Sequence, residues 1–166
     1  MKIFLIAFVA SLSLLTVNAG LLPSFHSPLI DAAVHHYKTA NCVVQNTLEV
    51  QNVAQNFLDE IVGCGTNVSE EWFAIIDACV AIIETCQKII RLHESTCSDI
   101  KNPSTICVLL FSKDVAVLKK QADTAATLFK ELEELPHVTT LCGGTAVNHV
   151  SDYFTQFSAN VGICAN

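Results

Sequence analysis

Basic residues are scarce in this chain. Nine Lys and Arg stand against sixteen Asp and Glu in 166 residues, for a formal charge of −7. They form no cluster, and nucleic acid and anionic lipid surfaces are both bound through a positive patch. Neither partner is expected. Apolar/polar alternation with a period of two is missing over any useful length, which argues against sheet. No Cys-x-x-Cys pair occurs, and no His sits at ligand spacing from a Cys on an obvious turn, so the usual signature of a zinc site is lacking. There is no Gly-x-Ser-x-Gly, no His-Glu-x-x-His and no phosphate-cradling glycine loop. No metal, cofactor or catalytic residue is therefore expected. Beyond the first residues no apolar run suits a bilayer span. Ile75 to Ile90 comes nearest, and Asp77, Glu84, Gln87 and Lys88 interrupt it.

The chain does have a marked beginning. Met1-Lys2 precedes an apolar run from Ile3 to Leu15 and then Val17-Asn18-Ala19. A short basic start, an apolar stretch too short to span a membrane and a small-residue site read as a secretory signal peptide over residues 1–19. Residues 20–166 are then one domain, long enough to bury a real core. All eight cysteines fall in it: Cys42, Cys64, Cys79, Cys86, Cys97, Cys107, Cys142 and Cys164. An even count in a secreted chain predicts disulfides throughout. Asn67-Val68-Ser69 is a glycosylation sequon in a predicted loop, making Asn67 a candidate glycan site.

The apolar residues recur at helical spacing. Ser27-Pro28 reads as an N-cap with proline at the first helical position. Ile30, Ala33, Val34, Tyr37, Val44, Leu48, Phe57, Leu58, Ile61 and Val62 follow, with an Asn/Gln-rich middle that permits one bent helix or two shorter ones. Gly63-Cys64-Gly65 ends the segment, as glycine suits a left-handed C-cap. Asn67 or Ser69 is expected to cap a second helix reaching about Thr96, with Glu70 completing a capping box. That helix, from Phe73 onward, is apolar on most sides, so it is expected in the middle of the fold. Asn102-Pro103 is expected to open a third helix, with a charged outer face that includes Lys113, Lys119, Lys120 and Glu131, and Pro136 to stop it. The last segment, Val138 to Cys164, contains Gly143-Gly144, which would cost a helix interior about 2 kcal/mol. The helix starts after the pair, or the pair admits a neighbouring backbone. The fold class is all-α: an antiparallel bundle of about four long helices, stapled by disulfides.

Heights along such a bundle constrain the staples. Cys64, Cys79 and Cys142 fall toward one end, Cys97, Cys107 and Cys164 toward the other, and Cys42 lies level with Cys86. Cys42–Cys86, Cys64 with Cys142 or Cys79, and two of the three far-end cysteines are the expected pairs. Cys79 and Cys86 are roughly 10 Å apart along one helix, beyond the roughly 7 Å Cα separation that a disulfide spans.

Other side chains read as structural. His35-His36 point about 100° apart on a helix and form no clamp; His93, His137 and His149 stand alone. Asp59-Glu60 and Glu133-Glu134 look like solvated faces. Phe57, Phe73, Phe111, Phe129, Tyr153, Phe154 and Phe157 are spread over all the helices and fill a core or line an apolar cavity.

The segment Cys97-Ser-Asp-Ile-Lys-Asn-Pro-Ser-Thr-Ile-Cys107, the long helix after it, and Cys142 and Cys164 resemble the TsetseEP-type domain and related secreted, cysteine-rich helical proteins of insects, over about residues 40–166. The resemblance implies a protein of gut, salivary or reproductive secretions, with no catalytic residues to carry over. Insect odorant-binding proteins are also small, acidic and helical, but the three-residue gap between their second and third cysteines has no counterpart here. The expectation is a non-enzymatic extracellular protein acting through its surface on a protein partner. Val115 and Val117, apolar on a charged helix face, are the hint of such a surface. The alternative is a carrier that holds a small hydrophobic ligand in the bundle core.

Overall fold

The computed structural model describes residues 39–65, 68, 70–99, 102–135, 142, 144 and 147–164. The signal peptide, the Ser27-Pro28 cap, Asn67, Ser69, Gly143 and Pro136 lie outside these residues. Four α-helices make the fold: α1 (Ala40–Gly63), α2 (Phe73–Ser95), α3 (Thr105–Glu133) and α4 (Val147–Cys164). A 3-10 turn, Glu70–Trp72, leads into α2. No strand occurs among the described residues.

One spacing rule builds the bundle. The buried residues of α1 are Ala40, Val43, Thr47, Val50, Ala54, Phe57 and Ile61, alternating steps of three and four. In α2 the rule runs through Ile75, Cys79, Ile82, Cys86 and Ile89. In α4 it runs through Val147, Val150, Phe154 and Phe157 to Cys164. Such a stripe keeps one seam of a helix facing its partners and favours shallow crossings with interlocking side chains. Each helix packs on two others in ring order, α1 on α2 and α4, α3 on α2 and α4. The apolar segment from Phe73 is thus not a central helix. It is one of four walls, and its extra apolar residues face solvent: Phe73 is 54% exposed and Val80 42%.

The inner seam of α1 differs from the obvious apolar set. Val44, Leu48 and Leu58 are half-buried and Val62 is exposed, whereas Ala40, Thr47 and Ala54 are buried. Thr47 belongs there because its hydroxyl donates to the Val43 carbonyl at 2.8 Å, which removes the cost of burying it. The Asn/Gln-rich middle falls off the seam, so α1 is one continuous helix.

Helix ends follow local chemistry. Cys64 caps α1, its N–H reaching the Ile61 and Val62 carbonyls, and Gly65 takes φ +61°, the left-handed conformation expected after a helix. The α-helix proper of α2 starts at Phe73 with no side-chain cap. The third helix opens later than Asn102-Pro103. The Asp99 carboxylate accepts the Asn102 N–H at 3.1 Å, holding that dipeptide in a turn. Ser104, in extended conformation, is the cap and accepts from the Cys107 N–H at 3.2 Å. In the last segment the α-helix starts at Val147, after the glycine pair.

Three disulfides close the bundle: Cys42–Cys164, Cys64–Cys142 and Cys97–Cys107, with Cα separations of 5.7, 5.8 and 5.5 Å. The first ties the opening turn of α1 to the last residue of α4, as antiparallel order requires. The Cys42–Cys86 pairing is corrected. Within the described residues α1 begins at Ala40, so Cys42 sits at the end of the bundle, not level with the middle of α2. Cys79 and Cys86 are both unpaired and buried, which also corrects the expectation that all eight cysteines are bonded.

One carboxylate enters the core. Asp114 is 3% exposed and meets Lys88 Nζ of α2 at 2.7 Å, while the Lys88 side chain is mostly in solvent. A buried carboxylate stripped of its counter-charge is costly. Lys88→Met is expected to lower the unfolding free energy by about 3 kcal/mol in urea titrations. Lys88→Met with Asp114→Leu should recover most of that loss. A single variant as stable as the parent would show that the pair contributes nothing.

Candidate functional site

Four aromatic side chains cluster in one half of the bundle. Phe57 packs on Trp72 with ring centroids 5.7 Å apart and meets Phe129 edge-on at 5.0 Å; Phe129 meets Phe154 at 5.8 Å. All four are at most 1% exposed. Tilted and edge-on contacts at these distances are favourable packing, so this half is filled and not hollow.

The opposite half has a pocket of about 270 Å³. One wall is a face of α3, where Phe111, Ser112, Val115, Ala116 and Lys119 recur at helical spacing. Val43 of α1 forms the floor, with Val161 and Gly162 of α4 opposite. Gly162 leaves the space open: a Cβ built there would meet nothing within 4 Å. Cys42–Cys164 lies beside the pocket and holds two of its walls, since Val43 and Val161 are within three residues of the bonded cysteines. His93 of α2 packs behind Phe111 at 6.3 Å. The pocket is open on one flank, so it is a lateral site and not an enclosed chamber on the bundle axis.

Two polar groups break the apolar lining. The Ser112 hydroxyl is buried and has no hydrogen-bond partner. Other helical hydroxyls here reach back one turn to a carbonyl, as Thr47, Thr124, Thr127 and Thr155 do; Ser112 does not. A buried hydroxyl left unpaired costs about 1–3 kcal/mol. Lys119 is the one charged residue among the described lining residues, and no ion pair engages it among the described residues. Asp123, one turn on, instead accepts from the Ser158 hydroxyl at 2.7 Å.

A second groove, about 310 Å³ between α2 and α3 near Ile75 and Leu132, is more open. Two helices wall it, and its only charge is Glu131. It has no orphaned polar atom to satisfy.

The residues singled out by sequence are dispersed. Cys79 and Cys86 lie on the core seam of α2, fully buried. Asn67, His35, His36 and His137 are outside the described residues, and His149 lies in the first turn of α4. Asp59 and Glu60 are exposed, with Asp59 accepting from Gln55 at 2.9 Å; Glu133 and Glu134 are exposed too. Among the described residues no group of three or more His, Cys, Asp or Glu is placed to hold a metal. No described helix is long and apolar enough to cross a membrane. Of the two valines on the charged face, Val115 lines the pocket and Val117 is 41% exposed. Ser112 and Lys119 carry no mark in the sequence; Lys119 reads there as one more solvated charge.

Burial pushes the Cys79 and Cys86 thiols up to about 12, although a backbone hydrogen bond partly offsets this at Cys86. Reaction with disulfide reagents needs the thiolate. The folded protein is expected to be inert to such a reagent at pH 8, and denaturation without reductant should release two reactive thiols per chain. Folded pKa values above the unfolded ones mean that the thiols contribute stability below about pH 9, lost as pH rises toward 12. Chemical unfolding at rising pH reads that decline, and Cys79→Ala/Cys86→Ala should flatten it.

No protein-family model, no curated protein and no solved structure matches this chain.

Proposed function

We propose that this protein is secreted and carries a small, mostly apolar molecule in the pocket between α1, α3 and α4. The observation behind this is the unpaired Ser112 hydroxyl in an otherwise apolar recess. Binding sites for small molecules are largely apolar, with a few placed polar groups, and a buried hydroxyl without a partner favours an occupant that supplies one. A cavity of about 150 Å³ holds benzene, so about 270 Å³ takes on the order of ten non-hydrogen atoms. The three disulfides and the signal-like start at residues 1–19 favour an extracellular protein. The likeness to secreted insect helical proteins belongs to the same reading, as does a function without catalysis.

A second reading is action through the surface on a protein partner. Ile106, Leu109, Leu110 and Ile163 are 68%, 50%, 41% and 70% exposed, where α3 begins and α4 ends. Exposed apolar groups of this kind are common at interaction surfaces.

Titration with the neutral, environment-sensitive fluorophore 1-naphthylamine, small enough for the pocket, separates the two. Carriage predicts saturable binding of one probe per chain. Ala116→Phe, at an exposed lining position, should abolish it and leave the circular-dichroism melt unchanged. If neither this probe nor any short-chain amphiphile binds, the surface reading replaces carriage. Intact-mass measurement of protein secreted from eukaryotic cells should give a chain starting at Gly20.

A further inference from the structure

We infer that the natural occupant of this pocket is an anionic amphiphile, a medium-length apolar chain ending in a carboxylate-type head held jointly by Ser112 and Lys119. The inference rests on the carrier reading and adds the chemistry of the ligand's polar end.

Both polar groups in the lining offer hydrogens. A lysine ammonium is only a donor, and a serine hydroxyl has one hydrogen to give. The Ser112 hydrogen is not spent on the carbonyl one turn back, and its oxygen has no partner. An ionised carboxylate only accepts and has two oxygens to place. The described lining residues include no carboxylate to compete for Lys119, and Asp123 is engaged by Ser158. In a chain of net charge −7, a cation with no ion-pair partner among the described residues, set beside an apolar recess, is a local reversal of sign.

The register on α3 suits a single head group. Ser112 and Lys119 are seven residues apart, so they share a face about 10.5 Å apart along the axis. Helical side chains lean toward the N-terminus, which brings the lysine back toward Ser112 across Val115 and Ala116. Its stem lies along the apolar wall while the ammonium stays at the mouth. A carboxylate placed between the two takes one charge-assisted bond and one hydroxyl bond. The apolar chain then runs inward past Phe111 to Val43 and Val161.

Displacement of bound 1-naphthylamine by decanoate, 1-decanol and decyltrimethylammonium tests the assignment. Decanoate is expected to compete roughly tenfold more tightly than decanol, and the cation most weakly. Lys119→Gln should erase the preference for decanoate while leaving decanol unchanged. Lys120→Gln, one residue away and outside this pocket, should leave both unchanged. Ser112→Ala should weaken decanoate roughly threefold. Lys119 is solvent-exposed, so the fold should survive its replacement, as a thermal melt would confirm. Decanol competing as well as decanoate, or a preference that survives Lys119→Gln, overturns the head-group assignment while carriage stands. Absence of binding by the probe and all three amphiphiles overturns carriage itself, and the assignment with it.

Discussion

Four helices bury four stripes at once, and that requirement governs the rest of the structure. Each stripe advances by three and four residues, as Ala40, Val43, Thr47, Val50, Ala54, Phe57 and Ile61 do in α1. A seam of that period stays in register with its neighbours only when the helices run nearly aligned. Inward positions are therefore apolar or find a partner inside the fold. Thr47 does so through its own backbone, and one carboxylate oxygen of Asp114 through Lys88, its other oxygen staying buried without a partner. Cys79 and Cys86 sit there as small apolar side chains, which is how a buried free cysteine behaves. Both face inward on α2, seven residues apart, too far to bond to each other and with every other cysteine already paired.

The disulfides sit where such a bundle is weakest. Helix ends fray and connections contribute little packing, and all three bonds join terminal turns or connecting segments. Cys42–Cys164 closes a separation of 122 residues and Cys64–Cys142 one of 78. Long closures restrict the unfolded chain most, by roughly 4–5 kcal/mol each in the chain-entropy account. The clustered rings of Phe57, Trp72, Phe129 and Phe154 fill the other half, where Cys64–Cys142 also ties the end of α1 to the segment before α4. This division lets the pocket half be incompletely filled: Cys42–Cys164 keeps α1 and α4 together where side-chain contact is thinner and Gly162 contributes none.

Several features are legible in the sequence because they depend on near neighbours along the chain. Helical periodicity, the glycine stop after α1 and the bundle class come from local spacing and backbone preference. Cys64–Cys142 is one of two pairings that height along the bundle allows. Local signals mislead where they have a stronger competitor. Asn102-Pro103 has the right composition for a helix start, but Asp99 holds it in a turn and Ser104 takes the cap. Val44, Leu48 and Val62 are the more apolar residues of α1, yet the inner seam runs through Ala40, Thr47 and Ala54, because close helix approach rewards small side chains.

The sequence alone determined the helical class, the antiparallel order, the want of a basic patch and of a metal-ligand pattern, and the supply of cysteines for staples. Each of these depends on composition or on spacing within a few turns. Tertiary structure decided which cysteines meet, since a shift in where α1 begins moves Cys42 from the middle of the bundle to its end. It also decided that Ser112 has no partner and that Lys119 stands beside an apolar recess. That recess is assembled from Val43 of α1, one face of α3 between Phe111 and Lys119, and Val161 and Gly162 of α4, segments far apart in the chain. A void of that kind depends on how distant segments meet, and no local pattern in the chain encodes it.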